Sequence, residues 1–199
     1  MIRWNHPVRG LIPPMQFIPI AEENLLILQI GRWVLNIACL QPSKWSKQEE
    51  TSHLVLAVNV SAVQFRQHDF VDQVVNALRT HKLDASLLKL ELTESVVLND
   101  VRDVVAKMHL LKAVGVSLSL DDFGTDYSSL SYLKMLPLDQ VKIDKGFVRD
   151  MTNDPSDAIM VKTIIDLSNN FRLNVIAEGV ETEKQFDLLN NYEGVLNFV

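Results

Sequence analysis

Five segments of the 199-residue chain end in polar residues where buried strands would ordinarily carry core residues: Asn59, Glu91, the adjacent pair Asp121 and Asp122, Lys142 with Asp144, and Glu178. A carboxylate taken out of water is costly unless it is paired or binds a cation. Asn together with several carboxylates is a hard-oxygen donor set, suited to Mg²⁺ or Mn²⁺. His and Cys do not stand at these positions, which disfavours zinc. Two adjacent aspartates can bridge or divide between two cations. Two cations roughly 3.5–4 Å apart can activate a water and stabilise the leaving oxygen of an in-line displacement on phosphorus. A lysine among carboxylates is either a neutralising partner or a catalytic group. Taken singly, each of these residues also suits a cap, a salt bridge or a turn. Taken together they favour one site, because the ends of parallel strands converge on one mouth.

The elements that would position them alternate between short β-rich runs and longer helical periods. Leu54 to Val60 reads as a buried strand, and Phe70, Val71, Val74, Val75 and Leu78 recur at helical spacing. Leu88 to Thr93 alternates with period two. Asn99 and Asp100 are N-cap residues for an amphipathic helix through Val101, Val104, Val105, Met108, Leu111 and Val114, which Gly115 ends. Val116 to Leu120 reads as a strand, followed by a polar loop and a short helix near Ser128 to Met135. Asp139 to Ile143 is strand-like, and Ala158, Val161, Ile164 and Ile165 mark a helix. Asn174 to Ala177 is a further strand and Thr182 to Asn190 a further helix. Strands alternating with helices imply parallel pairing through crossovers. The alternatives are a doubly wound open sheet and a (β/α) barrel. Polar residues at nearly every strand end favour the barrel, since an open sheet concentrates its site at one switch point.

Composition sets wide bounds. With 47% hydrophobic residues the chain can bury one sizeable core, and its length argues for a single domain over 1–199. The single cysteine, Cys39, excludes an internal disulfide framework and fits a reducing cytoplasm. No stretch reaches the roughly 18 apolar residues of a membrane span. The longest apolar region, Asn24 to Leu40, is broken by Gln29, Arg32 and Asn36. A net charge of -6 disfavours DNA and anionic lipid as partners, but permits a small anion whose charge cations offset.

NVS at 59–61, ELTES at 91–95, DDFGTDYSSL at 121–130, VKIDKGFV at 141–148 and AEGVET at 177–182, in this order, resemble the motifs of EAL domains. IRWNHP at 2–7 followed by GLIPPMQFIPIAEE resembles the segment just after the EAL signature. EAL domains are metal-dependent phosphodiesterases that linearise cyclic di-GMP to pGpG. The resemblance implies a TIM-like (β/α)8 barrel of the EAL type. It makes Asn59, Glu91, Asp121 and Glu178 metal ligands, with Asp122 serving a second Mg²⁺ or Mn²⁺. Lys142 corresponds to a lysine near the attacking water, where an ammonium orients water or offsets developing charge. Asp144 supports that lysine or the second metal, unless it forms a simple pair with Lys142. Glu94 holds the loop after Asp122. Glu181 either supports the ligands or is a helix N-terminal charge. Arg3 contacts a substrate phosphate. His6, Trp4 and Pro7 are packing and turn residues.

The chain departs from the family pattern in three places. Asp126 stands in GTDYSSL where the family has Gly, in a loop that couples the metal site to dimerisation in that family. The signature glutamate would fall before Met1, which predicts that the first strand and its helix are missing. The Gln-Gly strand has no counterpart in NNYEGVLNFV, and Glu193-Gly194 is not that motif, which predicts a missing last strand. An unclosed barrel leaves unpaired edges. Two functions therefore stand side by side: hydrolysis of cyclic di-GMP, or a catalytically inactive module that binds it or a protein partner. The family also implies a homodimer and a GGDEF or sensory domain in a parent protein, the chain then being cytoplasmic or the cytoplasmic part of a membrane-bound sensor.

Overall fold

The computed structural model describes residues 2–96, 100–124, 133–192 and the backbone of 195–198. Asn99, Asp126, Glu193, Gly194 and most of the helix read near Ser128 to Met135 lie outside the described residues.

The chain opens with an antiparallel hairpin, β1 (Trp4–His6) and β2 (Gly10–Ile12). His6 Nδ1 accepts from the backbone N–H of Val8 at 3.1 Å and of Arg9 at 3.2 Å, so the imidazole closes the turn. Trp4 packs edge-on against His6 and Phe17. Both residues are structural here, as expected. Helices α1 (Pro14–Glu23) and α2 (Leu26–Trp45) follow. Then come β3 (Leu56–Val60), α3 (Ala62–Phe65), α4 (Phe70–His81), β4 (Leu88–Thr93), α5 (Val101–Val114) and β5 (Ser117–Phe123). The remainder is β6 (Gln140–Ile143), α6 (Lys145–Asp150), α7 (Pro155–Asn170), β7 (Asn174–Ala177), α8 (Glu183–Asn190) and β8 (Val195–Phe198).

β3 to β8 form one six-stranded sheet in sequence order, and every neighbouring pair is parallel. A doubly wound sheet reverses direction at its switch point. This sheet never does, so the order is that of a barrel wall. It holds six of a barrel's eight strands, in line with the expected incompleteness, and β3 and β8 are its edges. Two details correct the expectation. The helix predicted to be lost with the first strand is present: α1 and α2 precede β3. A strand, β8, pairs with β7 where the sequence predicts none.

The outward face of the sheet makes the core. Leu88, Leu90, Leu92, Leu118, Leu120, Val141, Ile143, Val175 and Ala177 are buried against Val74 and Leu78 of α4, Met108 and Leu111 of α5, Val161 and Ile165 of α7, and Leu189 of α8. Each fully buried Leu contributes about 2 kcal/mol. β3 is a half-buried edge rather than a buried strand: Val58 and Val60 face the helices, whereas Ala57 and Asn59 are exposed. Local signals set the helix ends. Asp100 caps α5 by accepting from Asp103 N–H, and Gly115 ends it at φ 103°. Thr182 and Gln185 form a capping box on α8. The six-residue α6 carries too little periodicity to be read from sequence.

At the N-terminal ends of the strands, the Asp139 carboxylate joins three elements. It accepts from Lys112 at 2.5 Å and from Leu118 N–H at 2.8 Å, tying α5 and β5 to the start of β6. Asp139→Ala is expected to lower stability by about 2 kcal/mol, read from the urea midpoint. Mn²⁺ binding should stay unchanged, because the polar strand ends lie at the opposite rim.

Candidate active site

Because all six strands run the same way, their C-terminal ends share one rim, and the polar residues gather there. Asn59 and Glu91 sit opposite each other across β3 and β4, and Asn59 Nδ2 donates to Glu91 Oε2 at 3.1 Å. Lys142, buried, reaches from β6 to three carboxylates: Glu178 Oε1 at 2.5 Å, Asp121 Oδ1 at 2.9 Å and Glu91 Oε1 at 3.3 Å. One carboxylate oxygen from each of Asp121, Asp122 and Glu178 falls within 4.8 Å of the others.

The meeting of Asp121 and Asp122 needs a local irregularity. Successive strand residues point to opposite faces. Between Leu120 and Phe123 the pairing of β5 with β6 shifts register, and Asp122 takes a left-handed φ of 53°. Such a bulge re-aims a side chain at the rim of a sheet. Asp and Asn accept this conformation more readily than most residues. Gly124, at φ 99°, completes the turn, and its N–H donates to Glu94 Oε1 at 2.8 Å. Glu94 thus holds the start of the following loop and stays off the carboxylate cluster.

The charge balance decides the electrostatics. Among the described residues, Glu91, Asp121, Asp122, Asp144 and Glu178 oppose the ammonium of Lys142. Burial disfavours a charged Lys142, but hydrogen bonds to Glu178 and Asp121 and the charges of Glu91 and Asp121 outweigh it and hold the lysine above its ordinary range. Burial raises Glu91, with Lys142 pulling the other way and Asp121 adding to the rise. Asp122 is raised to about 6, first by burial, then by the charges of Asp121, Asp144 and Glu178 and a hydrogen bond with Asp144. Carboxylates held up in this way are a cluster short of positive charge. An all-oxygen set of this kind matches the donor preference of Mg²⁺ or Mn²⁺.

The remaining predicted residues divide. Asp144 caps α6, accepting from Gly146 N–H at 2.7 Å, and its other tie is to Asp122. Among the described residues it forms no ion pair with Lys142, so the simple Lys–Asp pair is not made. Glu181 is exposed one residue ahead of the Thr182 cap, and its backbone N–H donates to Gln185 Oε1. Arg3 is exposed beside β1, and its guanidinium donates to the Ile2 carbonyl with no ion pair among the described residues. Sequence reasoning missed Gly179, at φ 74°, where an added Cβ would approach Lys145 Cβ to 3.0 Å. Its position directly after Glu178 was the available signal. Cys39 is buried in α2, and burial pushes its thiol up to about 11.

A family model of the EAL domain matches residues 1–194. The chain is 45% identical over 201 residues to the bifunctional diguanylate cyclase/cyclic di-GMP phosphodiesterase MucR of Pseudomonas aeruginosa, covering 98% of this chain and 29% of that protein. It is 39% identical to the oxygen sensor protein DosP of Escherichia coli, covering 95% of this chain and 24% of that one. Among solved structures, the PaMucR phosphodiesterase in its c-di-GMP complex superposes with a TM-score of 0.92 at 45% identity, covering 98% of this chain and 78% of the other. The EAL domain of Mycobacterium smegmatis DcpA superposes at 0.78 and 40% identity, covering 84% and 75%. The chain thus spans less than a third of the length of these curated relatives.

The raised Asp122 has a measurable consequence. Its folded value of about 6 lies above its ordinary 3.8, so the folded state holds the proton more tightly than the unfolded one. Stability from this group is present below about pH 4 and is lost as pH rises to about 6. In EDTA at pH 7, Asp122→Asn should be more stable than wild type by about 1 kcal/mol, after discounting for solvent screening. Thermal melts at pH 4 and 7 check this, since the gain should vanish at the lower pH.

Proposed function

Because the chain belongs to the EAL domain family, we propose that this cluster binds divalent cations and hydrolyses cyclic di-GMP to linear pGpG. The observation that carries the reading is the approach of Asp121, Asp122 and Glu178 to within 4.8 Å, beside Lys142, on one rim of a parallel sheet. In the proposed site these three carboxylates, with Glu91 and Asn59 alongside, hold Mg²⁺ or Mn²⁺, two ions in the fullest form. Bound cations would screen the phosphodiester charge and favour attack by water on phosphorus. Water adds to phosphorus, the bond to the ribose 3′-oxygen breaks, and the phosphate stays on the 5′ side, as pGpG requires.

The chain's own residues then have distinct tasks. Lys142 offsets negative charge developing at phosphorus and orients the incoming water. Asn59 holds the Glu91 carboxylate in place. Asp144 sets Asp122, and Glu94 holds the loop that follows. Arg3, already exposed and free of an ion pair among the described residues, takes a substrate phosphate. Glu181 contributes only negative charge near the α8 N-terminus. A homodimer, and a GGDEF or sensory domain elsewhere in a longer protein, belong to the same proposal; the greater length of the relatives supports the second. No helix among the described residues is long and apolar enough to cross a membrane. A cytoplasmic setting, alone or as part of a membrane-bound sensor, suits the lone buried thiol.

A second reading is a module that binds cyclic di-GMP or a partner without cleaving it. The Lys142 ammonium favours it, because a cation already stands among the carboxylates that would have to receive the metal. Incubation of the purified chain with cyclic di-GMP and Mg²⁺ or Mn²⁺ separates the two. Hydrolysis should yield pGpG by chromatography, at a rate that Asp121→Ala lowers by about 100-fold. No pGpG above the Asp121→Ala control would sink the enzymatic reading, and binding heat in metal-free calorimetry would then support the second.

A further inference from the structure

The concave face of the sheet stays polar below the carboxylate cluster, where a barrel interior is ordinarily filled with branched apolar residues. The pairing register places Asn59, Glu91, Ser119, Gln140 and Asn174 side by side in one row across five strands. Neighbours in such a row project from the same face, with strands about 4.8 Å apart. Asn59 and Glu91 satisfy each other. The middle of the row is different. Ser119 is wholly buried, and its hydroxyl has no partner among the described residues. Gln140 is 4% exposed; its Oε1 accepts from Lys89 Nζ at 2.5 Å, but its Nε2 has no partner among the described residues.

Two polar groups on adjacent strands each bear the full desolvation penalty if they stay unmatched. Buried groups of this kind are usually satisfied by ordered water with two to four polar partners. The donors and acceptors fit one. Gln140 Nε2 can only donate, the Ser119 hydroxyl can donate or accept, and a water between them accepts from one or both and has protons left to give. The next group in the row is Glu91, whose Oε1 lies 3.3 Å from Lys142 Nζ. Lys142 stands two residues beyond Gln140 on the same strand and face.

We propose that Ser119 and Gln140 hold an ordered water beside Glu91 and below Lys142, and that this water fixes the orientation of the Glu91 carboxylate. Ser119 and Gln140 are then positioning residues: they act on the cation site through Glu91 and touch no substrate. The water site itself is independent of the phosphodiesterase reading, and only its kinetic consequence rests on that reading. Removing a group that orients a metal ligand typically weakens metal binding by about 10-fold or more.

A crystal structure of the full chain tests the water directly. The expected result is a density peak within hydrogen-bond distance of both Ser119 Oγ and Gln140 Nε2. A direct Ser119–Gln140 hydrogen bond without water, or a dry site, overturns the proposal. Mn²⁺ titration of Ser119→Ala and Gln140→Leu, followed by electron paramagnetic resonance, tests the positioning. Affinity should fall about 10-fold and recover in Ser119→Thr, which keeps the hydroxyl. A lowered melting temperature with unchanged Mn²⁺ affinity indicates a purely structural role and overturns it. If wild type makes no pGpG while water and Mn²⁺ effects are found, the phosphodiesterase reading fails and this one stands. If pGpG forms, both variants should lose kcat with KM within about twofold of wild type.

Discussion

Lys142 lies between 2.5 and 3.3 Å from Glu178, Asp121 and Glu91, and the rest of the site depends on that contact. At about 3 Å and an effective dielectric of about 20, each pairing attracts by about 5 kcal/mol. Three such attractions exceed the several kcal/mol that it costs to bury an ammonium, so the lysine stays charged. One ammonium cannot balance five carboxylates, however. Burial first, and then that surplus of negative charge, hold Glu91 and Asp122 up. A cluster arranged in this way is held together by one internal cation and has strong reason to take up others.

The sheet carries that charge by dividing its labour between faces. Its outer face is nearly all Leu, Val and Ile under the helices, and its inner face, Ile176 beside Lys142 apart, is polar from the Ser119 row to the rim. The inner face therefore adds little hydrophobic stabilisation, and the outer face and the Asp139 tie at the far rim must supply it. Stability and chemistry are separated along the strand axis, as they are in barrel enzymes generally. The register shift after Leu120 belongs to the same division. It gives up regular pairing at one point so that two consecutive aspartates can serve one site.

Much of this is legible in the sequence. β4 and β7 have the expected bounds, because six- and four-residue runs of alternating or β-branched residues leave little choice. Asp100 and Gly115 bound α5 through capping chemistry that is local to them. The misses have equally physical causes. α6 is too short for helical periodicity, so the sequence leaves Asp144 open between Lys142 and the second metal; its carboxylate caps that helix and meets Asp122. β3 looked fully buried because apolar content does not reveal that a strand lies at an edge. α1 and α2 precede the sheet and β8 joins it although the flanking motifs do not occur in the sequence, because the absence of a motif does not remove the element.

The sequence by itself determined which functional group stands at the end of which strand, since a period of two and the turn residues beyond it are properties of a few neighbouring residues. It thereby determined that Asn59, Glu91, Asp121, Lys142 and Glu178 could share a rim. Only the tertiary structure decided how they meet: that Asn59 serves Glu91, that Lys142 is held by three carboxylates, and that Ser119 and Gln140 continue the row of Asn59 and Glu91. Those facts depend on register between strands 20 to 40 residues apart in the chain. Register is set by packing across the whole sheet, which no local spacing encodes.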